Sequence, residues 1–244
     1  MIFRETEHKL YHELASTYDL YYSRIFNYQE FYDKIAPILE ENGVKSILEV
    51  ACGTGRLMEI LEEHSYIVTG LDLSQDMLNI ARKRVKGDLI QQDMRRINLE
   101  NRYDAIVSLG SSFTYIQSDE DVEDTLRGFY THLNADGVLI FDCFDKDRLS
   151  TASHGKWDAE SQSFDDLTIT RKSMSSGWNQ DDGTWLVDWE WTIQNNDDTK
   201  TVFEQQKLKA HTFKYLEKKL REVGFTDIEK QDTRRLLIKA VRTD

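Results

Sequence analysis

Ile47-Leu48-Glu49-Val50-Ala51-Cys52-Gly53-Thr54-Gly55-Arg56-Leu57 is a short apolar run, with one acid inside it, that breaks into a Gly-x-Gly turn. Its length and turn boundaries suit a strand covered on both faces. The spacing of Leu57, Ile60 and Leu61 predicts a helix directly after the glycines. Gly53 and Gly55 permit backbone angles and a close approach that a Cβ would forbid, and the helix start aims free N–H groups above the strand's carboxyl end. The stretch therefore predicts a ligand site.

Outward from it, apolar runs and helical patterns alternate. Strands are predicted at about 47–51, 67–72, 89–92, 103–109 and 137–143, and helices at about 56–64, 75–85 and 119–133. This is the signature of an α/β, doubly wound, seven-stranded, mostly parallel sheet with helices on both faces. Right-handed crossovers bring the carboxyl ends of the parallel strands to one rim, so residues 49–55, Asp72, Asp93 and 109–115 converge there. After Cys143 the alternation stops, and 144–166 reads as a polar loop with a short helix. Residues 167–175, 185–194 and 199–211 read as an antiparallel β insertion after the fifth strand. In its middle strand Trp185, Val187, Trp189, Trp191 and Ile193 share one face. That face suits either a hydrophobic seam or a dimer or substrate surface. Thr212 N-caps a predicted helix that Gly224 ends, and strands near 225–230 and 234–241 complete the sheet.

Upstream, apolar and aromatic residues of 4–22 fall at near-helical spacing. A second amphipathic segment, about 28–41, contains Pro37, the only proline, where a kink or a fresh start is expected. The expected organisation is thus an N-terminal helical lid (1–42), a core (43–145 and 212–244) and the antiparallel insertion (146–211), which covers substrate or makes a homodimer contact.

At 244 residues the chain is long enough for a sizeable core. A net charge of −13 and a pI near 5.0 argue against nucleic acid and for a small-molecule substrate. The charged start, Met1-Ile2-Phe3-Arg4-Glu5-Thr6-Glu7-His8, and the lack of an apolar run of ~20 residues speak against a secretory signal or a membrane span. A soluble, cytoplasmic protein is expected. Cys52 and Cys143 read as reduced thiols. No metal site is expected.

Asp72 ends the second strand about 20 residues after the glycine turn, where nucleotide-binding sheets place a carboxylate for ribose hydroxyls. A dinucleotide fingerprint continues to a third glycine, whose place Met58 takes here. A pyrophosphate fits less easily, and Glu49 would repel one while attracting an ammonium group. A nicotinamide-dependent oxidoreductase is disfavoured on both counts.

Beyond these residues the motif series resembles class I S-adenosylmethionine-dependent methyltransferases. It runs from Ile47 to Gly55, through Gly70-Leu71-Asp72-Leu73-Ser74, Gln92-Asp93-Met94-Arg95 and 103–108, to 134–140. The resemblance implies S-adenosyl-L-methionine as cofactor and S-adenosyl-L-homocysteine as product. It implies that Glu49, Ala51, Cys52, Gly53 and Gly55 bind the methionine part, that Asp72 binds the ribose, and that Leu73 and Met77 flank the adenine. Asp93 and Met94 would meet the adenine's amino edge, and Leu109 would line the cavity beside it. Residues 17–22 are similar to the tyrosine-bearing segment that closes over the cofactor in small-molecule members. Residues 111–116 with the insertion look loosely like nucleotide-linked amino-sugar N-methyltransferases.

Tyr18 and Tyr115 are the candidates for orienting the acceptor near the methyl group, with Tyr18 also a cofactor contact. The expected reaction is in-line methyl transfer to a small polar acceptor, an amine nitrogen before oxygen or carbon; non-catalytic cofactor binding is the other alternative. Blander roles compete for several of these residues. Tyr18 and Tyr22 suit helix packing, Asp93 suits a cap, and His132 and His211 suit structure.

Overall fold

The computed structural model describes residues 9–151, 154–231, 233 and 235–243. Residues 1–8 of the expected lid, and Arg234 at the start of the last expected strand, lie outside them. In chain order a 3-10 turn (Lys9–Tyr11) precedes α1 (Ala15–Ile25), α2 (Tyr28–Glu41), β1 (Ser46–Val50), α3 (Arg56–Glu63), β2 (Ile67–Asp72), α4 (Gln75–Ala81) and β3 (Leu89–Gln91). A 3-10 turn (Met94–Arg96) leads to β4 (Tyr103–Ser108), and another (Ser112–Tyr115) to α5 (Asp119–His132) and β5 (Leu133–Cys143). Then come β6 (Asp158–Phe164), β7 (Leu167–Asn179), β8 (Thr184–Gln194), β9 (Thr199–Lys209), α6 (Phe213–Val223), β10 (Phe225–Gln231) and β11 (Leu236–Arg242).

These elements form two compact units, residues 28–149 with 210–244, and residues 1–27 with 150–209. In the first, seven strands run in the order β10-β11-β5-β4-β1-β2-β3 among the described residues. β1 pairs in parallel with both β2 and β4, and β4 with β5, while β11 lies antiparallel to β5 and β10. The chain winds one way from β1 to β3 and the other way through β4 and β5. The crevice at that reversal, beyond the carboxyl ends of β1 and β4, is where such sheets take ligands.

Both sheet faces are covered. Leu48, Val50, Ile106, Leu139 and Phe141 pack with residues of α5 and α6 on one side. Ile47, Ala105, Val107, Val138 and Ile140 pack with residues of α2 and α3 on the other. Burial on two faces explains the unbroken apolar runs. The helices carry the caps their sequences announce. Ser118 accepts from the Asp121 amide and Thr212 from the Tyr215 amide, and Gly224 stops α6 at φ 120°. Three acids in the first turn of α5 complement its dipole.

In the second unit β6-β7-β8-β9 form an antiparallel sheet whose Trp191, fully buried, packs in one cluster with Leu10, Leu14, Tyr21, Tyr22, Ile169 and Val202. The part of that face at Trp189, Trp191 and Ile193 is therefore a seam against α1 and the turn before it. Tyr21 meets Trp191 edge-on at 5.2 Å between ring centres, a favoured aromatic geometry.

Three local expectations are corrected. Residues 158–164 are not loop but the edge strand β6, paired with β7 from Asp158↔Ser173 to Phe164↔Leu167. Its polar composition hides it, and the two-residue turn Asp165-Asp166, with Asp165 at φ 44°, is what closes the hairpin. Pro37 neither breaks nor restarts α2, which runs unbroken over Tyr28–Glu41. Burial of Ile35, Ile38 and Leu39 in the core outweighs the one backbone hydrogen bond proline cannot donate. β5 begins at Leu133 rather than 137, because Leu133 pairs with Tyr103 ahead of an irregularity in the ladder.

Candidate active site

The Gly-x-Gly turn connects β1 to α3 as its sequence requires. Gly53 stands at φ 54° and Gly55 at φ 77°, both in the left-handed region, and the Gly55 amide donates to the Cys52 carbonyl at 2.9 Å. The two glycines differ in surroundings. A Cβ at Gly55 would meet the Cβ of Ala81 at 3.0 Å, so this glycine lets α3 and α4 approach closely. At Gly53, among the described residues, no atom lies within 4 Å of where a Cβ would stand. Its freedom serves the turn and leaves space above it. Ala51 also adopts φ 58°, a conformation uncommon outside glycine. Cys52 is buried, as is Cys143, and both are free thiols. The Cys52 amide donates to Leu71 O on the neighbouring strand.

Asp72, at the carboxyl end of β2, ties three segments together. Its Oδ2 accepts from the Gly53 amide and its Oδ1 from the Ser74 amide, each at 2.8 Å. Ser74 in turn caps α4, its Oγ accepting from the Met77 amide at 3.2 Å. The side chain that would hold ribose hydroxyls thus also sets the shape of the glycine turn. Beside it Leu73 is 46% exposed, while Met77 is buried.

Glu49 is the chemical oddity of the sheet. It lies opposite Gly70 on one side and Val107 on the other. It is only 5% exposed, and its Oε2 has no hydrogen-bond partner among the described residues. Burial, reinforced by the Asp72 carboxylate, pushes its pKa up to about 8. An unpaired buried carboxylate is costly, so it takes a proton until a cation arrives.

Asp93 follows β3 and caps the turn Met94–Arg96, accepting from the Arg95 amide at 2.9 Å. Burial opposes its charge, yet the side-chain and backbone bonds from Arg95 outweigh this and hold the carboxyl below the usual range. The Arg95 Nε reaches both carboxylate oxygens, at 3.0 and 2.9 Å. Met94 packs partly buried on the core, and Leu109 does so on the opposite sheet face.

Tyr115 ends the 3-10 turn after β4 and is half-buried. Tyr18 belongs to the other unit, on α1, where its ring lies 5.6 Å from Tyr11 and 4.5 Å from Tyr22. The sheet unit therefore collects Glu49, Ala51, Cys52, Gly53, Gly55, Asp72, Leu73, Met77, Asp93, Met94, Leu109 and Tyr115 on or just beyond the ends of β1 to β4.

His132 and His211 serve packing. His132 donates from Nδ1 to Gly128 O at 2.7 Å and accepts at Nε2 from the Leu99 amide at 3.0 Å. His211 is buried and stacks on Tyr215 at 5.5 Å.

The buried hydroxyls of Ser108, Ser111 and Thr114, which have no hydrogen-bond partner among the described residues, were not legible as site residues in the sequence. They sit at the end of β4 and in the turn after it. Asp142 on β5, which accepts from the Ser111 amide, was equally hidden. The sequence does offer a signal in hindsight: four hydroxyl residues, Ser108, Ser111, Ser112 and Thr114, crowd a strand end where apolar residues would pack.

Residues 47–137 match the family model described as a methyltransferase domain. Around it the chain is 35% identical over 130 residues to a dTDP-3-amino-3,4,6-trideoxy-alpha-D-glucopyranose N,N-dimethyltransferase of Streptomyces venezuelae, covering 52% of this chain and 55% of that protein. It is 38% identical over 111 residues to a glycine/sarcosine N-methyltransferase of Aphanothece halophytica, covering 43% of this chain and 42% of that one. The chain spans about half the length of the curated relatives it matches. The crystal structure of Streptomyces venezuelae DesVI shares its fold at a TM-score of 0.84, with 26% identity over 94% of this chain and 98% of that one. The matched stretch runs from the second residue of β1 to beyond β4 and includes the glycine turn, together with nearly every candidate site residue. Among the described residues no helix is long and apolar enough to cross a membrane.

Proposed function

We propose that the chain is an S-adenosyl-L-methionine-dependent methyltransferase acting on an amine nitrogen of a small polar acceptor. The observation that carries the reading is Glu49: a carboxylate buried at a ligand-facing strand end, one oxygen unpaired, beside a glycine turn with open space above Gly53. A zwitterionic methionine tail supplies the missing cation, whereas a pyrophosphate would add repulsion. Relatives named for N-methylation of amino sugars and of glycine or sarcosine favour nitrogen over oxygen or carbon.

In this reading Glu49 receives the ammonium group, and residues 51–55 line the methionine part. Asp72 keeps its two backbone bonds and accepts ribose hydroxyls on its remaining lone pairs. Leu73, exposed and apolar, and Met77 flank the adenine, with Asp93, Met94 and Leu109 around its edge. The cofactor brings a methyl group already activated on a sulfonium and leaves as S-adenosyl-L-homocysteine. The protein's task is then alignment and exclusion of water. Tyr115 orients the acceptor, and the hydroxyls of Ser108 and Thr114, unpartnered among the described residues, are available to polar ligand groups. An ammonium acceptor has to lose its proton before attack, to a nearby side chain or to water. No membrane or nucleic-acid partner is needed, and a cytoplasmic location suits the free thiols. The insertion unit is the place for acceptor recognition or a homodimer contact, a role its 60% exposed Phe203 on edge strand β9 would suit.

The test is release of S-adenosyl-L-homocysteine in the presence of glycine, sarcosine, a dTDP-linked amino sugar, and a phenol as the oxygen control. Turnover with an amine and none with the phenol is expected. Turnover confined to the phenol would overturn the choice of nitrogen.

A further inference from the structure

The turn after β4 is held in an uncommon shape by a residue of the next strand. Gly110 stands at φ 91° and Ser111 at φ 68°, two successive left-handed residues, the second of which carries a Cβ. A side-chain-bearing residue stays there only when its surroundings enforce it. The enforcing group is Asp142. Its Oδ1 accepts from the Ser111 amide at 2.6 Å, with the Gly110 amide also bonded to this carboxylate. The side chain is buried at 5% exposure, and Arg235, which stands just before β11, places Nη1 3.4 Å from Oδ2. Burial pushes the Asp142 carboxyl up and the Arg235 charge opposes it. One residue earlier on β5, the ring of Phe141 packs against Phe113 of the same turn at 4.8 Å. The turn is thus pinned at two successive residues of β5, and it carries Thr114 and Tyr115.

We propose that Asp142 is a positioning residue. By holding Gly110 and Ser111 in left-handed backbone it fixes the direction in which Thr114 and Tyr115 meet the methyl acceptor. The acceptor half of this statement rests on the proposed function; the conformational half does not. Asp142 touches neither cofactor nor acceptor in this account, and Glu49 and Asp72 hold the cofactor without it.

The test uses the full chain and two readouts. In Asp142→Asn, hydrogen exchange at the amides of 110–116 is expected to quicken about 10-fold, while exchange in β1 and affinity for S-adenosyl-L-homocysteine stay within about twofold. Turnover of glycine or the dTDP-linked amino sugar is expected to fall about 10-fold in kcat with the cofactor KM unchanged. Adding Ser111→Gly, which adopts φ 68° without strain, is expected to restore most of the turnover. A purely structural role would lower stability without splitting kcat from the cofactor KM. Unchanged exchange, failure of the glycine to rescue, or a parallel loss of cofactor affinity would each overturn the proposal. Should Asp142→Asn fail to fold, Arg235→Gln is expected to show the same pattern at about 3-fold. If no acceptor turns over in the wild type, the proposed function fails, while the exchange pattern still decides the clamp.

Discussion

The two units bury their polar groups in different ways. In the sheet unit, buried acids and hydroxyls gather at one rim: Glu49, Ser108, Ser111, Thr114 and Asp142 all stand at or just beyond strand ends. In the insertion unit, polar side chains pair across strands, such as Lys172 with Glu190 at 2.8 Å, and Ile169, Trp191 and Val202 form a seam under α1. The first pattern is that of a scaffold supporting one chemical edge; the second is that of a sheet holding itself together. The stretch that matches the methyltransferase family model falls wholly within the first unit, and sequence likeness to the two N-methyltransferases covers only about half of the chain. In the proposed reading the cofactor edge is the shared part, and the insertion is where acceptor choice would have room to vary.

This contrast can be broken by experiment. The largest effect is expected in the insertion unit and on stability alone. Trp191→Ala empties the centre of its seam and should cost about 3–5 kcal/mol in urea unfolding, with cofactor affinity preserved in the folded protein. Loss of binding in step with stability would erase the distinction. Next comes the rim. Asp72→Ala removes the acceptor for the Gly53 and Ser74 amides along with the ribose carboxylate, and should weaken cofactor binding by roughly 100-fold or more with the fold retained. Gly53→Leu should do likewise, since it forces a branched side chain into φ 54° and into the open space. Circular dichroism with calorimetry separates binding from folding in both. The smallest effect belongs to Lys172→Ala, which removes a half-exposed ion pair and should change stability by no more than about 1 kcal/mol. A larger loss would mean that the insertion depends on charge as the rim does.

The same contrast explains what could be read from the sequence. Residues 47–57 carry strand, turn and helix start in one stretch, and Asp72 lies at a spacing that local chain geometry dictates, so the shape of this rim was legible. Glu49 was legible as an acid in an apolar strand, although its protonation was not, because that depends on its burial in the folded sheet and on Asp72 across it. β6 was missed because an edge strand exposed along its length needs no apolar period. Pro37 does not restart α2, because packing of the helix overrides a local penalty. The Asp142–Arg235 pair spans 93 positions and joins residues only through the β5–β11 pairing. A contact made by topology leaves no local pattern.

The central claim is that the rim binds a cation-bearing methyl donor at Glu49, and proton linkage tests it most directly. With its pKa raised from 4.5 to about 8, Glu49 weakens the fold progressively between those pH values and fully above the upper one, because the unfolded chain gives up this proton first. Glu49→Gln should remove that slope. In the wild type an arriving ammonium favours the carboxylate, so cofactor affinity should rise as pH climbs towards 8 and then level off. Calorimetric titration with S-adenosyl-L-methionine at pH 7, in buffers of different ionisation enthalpy, should show release of about one proton per molecule bound, lost in Glu49→Gln together with about 10-fold in affinity. Binding with no proton release in the wild type, or equal release and affinity in Glu49→Gln, would contradict the account.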